Sequence, residues 1–376
     1  MDVKKIARKL NLPESRINGL LERKIIKTIS DELFYFVKGI SGIESGTLIF
    51  CKDDIIEIIH GYPKIRRSML LDACIKNHFA DIPVVAVEEK MNGYNVRVCL
   101  LKNKIHAITR GGLICPYTTE KARELIGYNF FRDYPHYVLC GEMVGPDNPY
   151  VPKNIYNIDS LDFFIFDIQE KNTGSSMSVL KKHALLKEYE LNAVRLFGMY
   201  SIHDASSKIM QIIKELGAIF HEGVVIKDPE MILPPIKYTC SQSNCIDLEY
   251  AFAFYNDYGK DFFFSRVVRE GFQSVEWNEN DIQIKERCCR LGESILKPMI
   301  NTIKRKKSGK RIVEKVQIRV KNLETAKQFE EHLRHLNIDA IFESPIFING
   351  EYLIKIKKIY QSTNDKTEAV LKGQTW

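Results

Sequence analysis

Five short segments of the 376-residue chain each end or interrupt an apolar run with a single acid, base or aromatic. They are EKMNG (89–93), CGEMVG (140–145), FFIFDI (163–168), EGVVIKD (222–228) and PPIKY (234–238). In chain order they supply Lys90, Glu142, Phe166, Glu222, then Lys227 and Lys237. A lysine with an ordinary pKa near ~10.4 is ammonium and cannot attack an electrophile. Desolvation and nearby positive charge free its lone pair. A carboxylate flanked by glycines can accept hydrogen bonds from a sugar, and a second can meet a hard cation. An aromatic stacks on any flat base. Further lysines can neutralise phosphate charge as a transition state forms. One such segment arises easily by chance, whereas five in this order do not.

The elements that must hold these residues read as strands. In NVRVCL, Val96, Val98 and Leu100 share one face, and Asn95, Arg97 and Cys99 share the other. Asn92-Gly93 is a strong turn signal and predicts a hairpin of 84–90 with 95–101. On that hairpin alone, Lys90 reads as a solvated edge residue. From 81 to 240 strand patterns dominate, rich in β-branched and aromatic residues and punctuated by Gly, Pro and Asn. Two helices intervene. TTEKARELIG is read with Thr119 as cap and Gly127 as stop, and SSKIMQIIKELG is read as ended by Gly217. A third helical pattern in 61–79 places Met69, Leu70, Cys74 and Phe79 on one side. This mixed order predicts an α+β fold with largely antiparallel sheets and flanking helices.

The flanks differ in character. Residues 1–60 mix short helical patterns with one candidate strand, GTLIFCKDDIIEII. After 240 the chain turns aromatic and helical. A long helical pattern is interrupted by Gly292 and Pro298, and a basic loop, IKRKKSGKR (303–311), follows with six basic residues and no acid. The last stretch alternates strand, helix (Asn322 as cap) and strands. The expected organisation is an N-terminal domain (1–60), a central domain (61–240), a helical domain (241–310) and a small α/β domain (311–376). Net charge is +7, which favours a polyanionic partner without demonstrating one. Nine cysteines with no C-x-x-C pair read as structural thiols of a cytoplasmic protein. No apolar run reaches ~18 residues, so no transmembrane helix is expected, and the N-terminus lacks the apolar core of a signal peptide.

The ordered set resembles the covalent nucleotidyltransferases, the superfamily of ATP-dependent polynucleotide ligases and mRNA capping enzymes, with EKMNG similar to the K-x-[D/N]-G motif. Asn92 stands where Asp is commoner. Domain order most resembles the homodimeric archaeal RNA ligases, and the R-x-D-K motif of the OB domain in DNA ligases and capping enzymes is missing after residue 240. The resemblance implies ATP-dependent joining of 5′-phosphate and 3′-hydroxyl RNA ends through a lysyl-AMP on Lys90. It makes Lys237 a second catalytic residue. It implies nucleotide contacts from Asn95, Arg97, Arg110, Glu142 (ribose), Phe166 (adenine), Lys227 and Lys237, and a metal contact from Glu222. Lys227, Lys237 and the metal are expected to lower the pKa of Lys90. ATP and Mg²⁺ (or Mn²⁺) are the implied cofactors. Single-stranded RNA, with single-stranded DNA as an alternative, is the implied partner, and helices from 241–310 join a homodimer. The rival readings are a DNA ligase, a GTP-using capping-type enzyme and a non-catalytic nucleic-acid binder.

Overall fold

The computed structural model describes residues 2–53, 55–151 and 154–375. Two helices, α1 (Val3–Lys9) and α2 (Glu14–Glu22), precede an antiparallel meander of β1 (Ile26–Ser30), β2 (Leu33–Phe36), β3 (Leu48–Lys52) and β4 (Ile55–Ile59). Ile6, Ile17 and Leu20 of the helices close over Ile26, Phe34 and Ile49 of the sheet. The single strand expected over 46–59 is therefore two, paired antiparallel. Near their junction Asp53 takes a left-handed φ of 51°.

The central unit contains β5 (Arg66–Arg67), α3 (Leu71–His78), β6 (Val84–Lys90), β7 (Tyr94–Leu101), β8 (Lys104–Thr109), α4 (Pro116–Ile126), α5 (Asn129–Asp133), β9 (Tyr137–Val144), β10 (Asp162–Glu170), α6 (Val179–Glu188), β11 (Leu196–Ser201), α7 (Ala205–Ala218), β12 (Gly223–Lys227) and β13 (Ile236–Thr239). Its strands form two sheets, ordered β10-β9-β7-β8 and β11-β6-β12-β13-β5. All neighbours are antiparallel except β13 and β5.

The hairpin expected at Asn92-Gly93 does not form. β6 pairs with β11 and β12, and β7 pairs with β8 and β9. Each strand is flanked on both sides within its own sheet, so its backbone groups are satisfied there and not across the turn. Asn92-Gly93 instead carries the chain from one sheet to the other. Gly93 is required by close approach, because a Cβ there would lie 2.1 Å from the Met143 carbonyl oxygen.

Alternation along the strands decides what each face meets. Val85, Val87, Val224, Ile226, Ile236 and Tyr238 pack under α3 and α7, against Leu71, Ile75, Phe79, Ile209 and Ile213. Leu71, not Leu70, is thus on the buried side of α3, and Leu70 is exposed. On β7, Val96, Val98 and Leu100 enter the main core, as their spacing predicts. Cys99 and Leu101 meet Leu48 and Phe50 of the N-terminal sheet, so the second face is covered too. Two helix boundaries differ from expectation. α4 begins at Pro116, a proline suited to a helix first turn, and Thr119 Oγ1 accepts from the Ala107 amide. α7 runs through Gly217.

Three helices follow, α8 (Ser241–Ala253), α9 (Lys260–Glu276) and α10 (Asp281–Lys307). α10 is capped by Asn280 with Gln283 and continues through Gly292 and Pro298. Lys304, Arg305, Lys306 and Lys307 form its last turn, where positive charge suits the helix dipole. The basic loop of the sequence is thus largely a helix end. The C-terminal unit has β14 (Val313–Val320), α11 (Leu323–His335), β15 (Asp339–Phe342), β16 (Ile346–Ile348), β17 (Glu351–Ile359) and α12 (Gln361–Leu371). Asn322 caps α11 as expected. Among the described residues no helix is long and apolar enough to cross a membrane.

Candidate active site

A pocket of about 450 Å³ lies between the two central sheets. Residues opposite one another in a paired sheet share a face. Glu88 lies opposite Val225, and Val225 opposite Lys237. This row, with Lys90 and Lys227 two residues along their strands, lines one wall of the pocket. Asn95, Thr109, Glu142 and Phe166 of the other sheet line the facing wall, with Arg110 at the rim. Asn95 and Glu142 are direct cross-strand partners. Eight of the nine residues singled out in the sequence therefore meet at one cavity: Lys90, Asn95, Arg110, Glu142, Phe166, Lys227 and Lys237 line it, and Glu222 reaches Lys90 from the residue before β12.

Lys90 Nζ donates to Glu222 Oε2 at 2.8 Å, and both side chains are largely shielded, 18% and 13% exposed. Burial alone pulls the Lys90 ammonium down. The carboxylates of Glu222 and Glu142 outweigh it, so Lys90 lies above the ordinary lysine value. This corrects the expectation that neighbouring cations lower it, because in this arrangement its direct partner is an acid. Lys237 goes the other way. Burial, followed by repulsion from Lys90, lowers it to about 8. Burial raises Glu142 to about 7 against the opposing pull of Lys90. The pocket thus holds a lysine kept charged by its neighbouring carboxylates, a second lysine lowered to about 8 and an acid raised to about 7. Such clustering marks a site built for chemistry.

Below the pocket Glu88 is fully buried and held well below the usual carboxylate range, despite its burial, by Lys227 and Lys182. Lys227 Nζ is 2.7 Å from Glu88 Oε2 and donates to the Phe166 carbonyl at 2.6 Å. Lys182 Nζ is 2.5 Å from Glu88 Oε1 and 2.8 Å from the same carbonyl. Lys227 is only 2% exposed, so it is spent on this network and is not a free phosphate cation. Through it the expected stacking residue, Phe166, is fixed from behind, while Tyr62 meets its ring edge-on at 4.9 Å. Glu88, Lys182 and Tyr62 were missed in the sequence. Glu88 had one readable signal, its position two residues before Lys90 on the same face. Lys182 and Tyr62 come from distant segments and had none.

Arg97 is the one singled-out residue that does not meet the others at the pocket. It is completely buried. Nη1 donates to the His60 carbonyl at 2.6 Å, and Nη2 to the Gly46 and Thr109 carbonyls at 2.9 Å each. It ties the N-terminal domain to β8 and is not among the residues that line the pocket. Beside Arg110, Gly111 lines the pocket, whereas Gly112, at φ +92°, packs on Gly46. Gly141 makes room for the Phe163 ring and not for a sugar. The Asn92 backbone N–H donates to the Tyr156 hydroxyl at 2.5 Å, and its side-chain Nδ2 donates to Ser243 Oγ at 3.4 Å.

Two observations bear on ligands. Asn95 Oδ1 is buried without a hydrogen-bond partner, an acceptor left for a donor on a bound molecule. Among the described residues, no group of three or more His, Cys, Asp or Glu converges. A divalent ion bound here would therefore take few ligands from the described residues and more from water or phosphate oxygens.

Known proteins align with this geometry. The model of the RNA ligase family matches residues 83–239, and that of the Pab1020 ligase C-terminal region matches 250–374. Two forms of an archaeal ATP-dependent RNA ligase superpose with TM-score 0.94 at 42% identity, covering 100% of each chain. An uncharacterised protein of Methanocaldococcus jannaschii is 39% identical over 100% of this chain and 97% of its own. A chain from Aquifex aeolicus, provisionally named an ATP-dependent DNA ligase, shares the fold at TM-score 0.90 and 24% identity, covering 97% of this chain and 100% of its own.

Proposed function

This chain belongs to the archaeal ATP-dependent RNA ligase family, and on that premise we propose how its residues join a 5′-phosphate to a 3′-hydroxyl of single-stranded RNA. The reading is carried by Lys90, paired to Glu222 where two walls of opposite chemistry meet. A cation bound at Glu222 competes with Lys90 for its carboxylate. When its carboxylate turns from the amine, the burial that already pulls Lys90 down is no longer opposed by its nearest acid. The neutral amine attacks the α-phosphorus of ATP, the N–P bond forms, and the bond to the β-phosphate breaks to release pyrophosphate. A 5′-phosphate oxygen of RNA then attacks the same phosphorus and breaks the N–P bond. Finally a 3′-hydroxyl attacks the RNA 5′-phosphorus, and AMP departs.

Phe166 stacks on adenine, and Glu142 and Asn95 take the ribose. Lys237 and Arg110 hold phosphate oxygens, and Lys227 acts through Phe166 and Glu88. Mg²⁺, with Mn²⁺ as an alternative, supplies neutralising charge on the phosphates at Glu222. All nine cysteines are free, which fits a reducing cytoplasm. The experiment is ligation of 5′-phosphorylated single-stranded RNA with ATP and Mg²⁺. Circular or joined product supports the reading. Product from nicked duplex DNA alone moves it to DNA ligation, and protein labelling from GTP but not ATP moves it to capping-type chemistry.

The helical domain supports a homodimer. An apolar groove of about 820 Å³ runs between α9, α10 and α12, lined by Phe252, Phe263, Phe264, Val267, Ile303 and Leu371 among others. Phe264 is 71% exposed, and Val275, Ile282 and Leu296 extend the patch. An apolar surface of this extent calls for a partner, and a second copy brings an identical patch. A monomer mass by light scattering at micromolar concentration overturns this.

A further inference from the structure

The cationic row of the pocket does not stop at Lys237. β5 adds one more strand to the sheet, and its Arg67 lies beside Lys237 in register and on the same face. Arg67 Nη1 is buried and has no hydrogen-bond partner. From the helical domain, α9 brings Arg266 to the same corner. Its Nη1 donates to the Phe262 carbonyl at 3.2 Å and its Nη2 to Asp247 at 2.9 Å, while its Nε is buried without a partner. Arg266 and Arg269 both push against the charge of Arg67, which with burial is lowered to about 10, and Arg266 also pushes against Lys237. Arg269 Nη2 donates to the Thr239 carbonyl at 2.9 Å and its guanidinium packs on Tyr238, while its Nε and Nη1 are also buried without partners. Glu222 and Asp247 only partly offset the positive charge at the corner. Buried guanidinium donors without acceptors, set beside a phosphate lysine, leave an unmet demand for an anion.

We infer that Arg67 and Arg266, continuing the row from Lys237, form a second phosphate subsite built jointly by the nucleotidyltransferase and helical domains. This deepens the proposed function and rests on it for the identity of the ligands. A phosphoryl group reaches the subsite from one of two sources, the pyrophosphate end of ATP or the 5′-phosphate of the RNA strand. Guanidinium recognises either by paired hydrogen bonds that an ammonium cannot match.

The test compares the whole protein with Arg67→Gln, Arg67→Lys and Arg266→Gln. One arm measures the rate of covalent adenylylation against ATP concentration, and its reversal by inorganic pyrophosphate. The second measures AMP transfer from pre-adenylylated protein to 5′-phosphorylated RNA. The third measures sealing of pre-adenylylated RNA, which still carries the strand's 5′-phosphate but involves no pyrophosphate. Arg67→Gln is expected to lose at least ~10-fold in the first arm alone if the subsite holds the pyrophosphate end of ATP, or in the second and third arms, with less than ~2-fold in the first, if it holds the RNA 5′-phosphate. Arg67→Lys recovers part of the loss. Arg266→Gln follows the same pattern. No loss in either of the first two arms, or an equal loss in all three, overturns the subsite. Calorimetric binding of inorganic pyrophosphate and phosphate to the wild type and to Arg67→Gln reads the subsite without chemistry. Anion binding lost in the variant, in a protein that forms no adenylate, sinks the proposed function and keeps the subsite. Equal binding of both anions by wild type and variant sinks the subsite alone.

Discussion

The two central sheets enclose one pocket but divide its work. The sheet of β6, β12, β13 and β5 carries Lys90, Lys227 and Lys237 on its pocket face, with Arg67 beside Lys237 in register. The sheet of β7, β9 and β10 carries Asn95, Glu142 and Phe166 on the face opposite. In the proposed function the first wall, chiefly through Lys90 and Lys237, meets the phosphates and the second meets the nucleoside. Four cations on adjacent strands repel one another, so the first wall is stable only with Glu88 and Glu222 set among them. The second wall can afford a lone buried acid, Glu142, only because Lys90 faces it. Asn92-Gly93 joins the walls, which places the nucleophile at their seam.

Breaking the phosphate wall has the largest expected effect. Lys90→Ala removes the nucleophile and lowers adenylylation by ~10⁴-fold or more, measured as labelled protein. Lys237→Ala follows at ~10²–10³-fold, the usual cost of one donor to transition-state charge. Its pH dependence has a definite sign. With Lys237 at about 8, adenylylation falls as pH rises through that value, and Lys237→Arg keeps the rate flat there.

The nucleoside wall should respond more weakly and in ATP affinity. Glu142→Gln raises the KM for ATP by ~10–100-fold, the range for losing charged hydrogen bonds. The same change stabilises the empty protein. The folded pKa of Glu142, about 7, lies above its ordinary 4.5, so its ionisation opposes folding increasingly between those values and fully above about 7. A gain of roughly 1–3 kcal/mol is expected in thermal unfolding at pH 8, and none at pH 4. Arg97→Met tests whether that residue belongs to the wall at all. It should cost ~2–4 kcal/mol of stability by orphaning three carbonyls, with the KM for ATP unchanged. Smallest is Phe264→Glu, which halves the mass in solution and leaves adenylylation per chain within ~2-fold.

Short-range pattern made much of this legible. Period-two alternation correctly separated the two faces of β7, and the five segments supplied Lys90, Glu142, Phe166, Lys227 and Lys237 to the pocket lining. What alternation does not encode is which strand pairs with which. The Asn-Gly turn looked like a hairpin because its local chemistry is the same whether the strands pair or part. The role of Arg97 was illegible for a related reason, since its acceptors on Gly46, His60 and Thr109 become neighbours only after two domains dock. The sign of the Lys90 shift failed similarly. Four lysine or arginine side chains were visible along the sequence, but the 2.8 Å contact with Glu222 arises from residues 132 apart.

The central claim, that Lys90 at the seam of the two walls becomes covalently adenylylated, is tested most directly by one labelling measurement. The protein is incubated with α-labelled ATP and Mg²⁺, denatured, digested and mapped. The expected result is one AMP adduct on the peptide carrying Lys90, absent from Lys90→Ala. An adduct that persists in Lys90→Ala, or a folded wild-type protein that takes up no label, contradicts it.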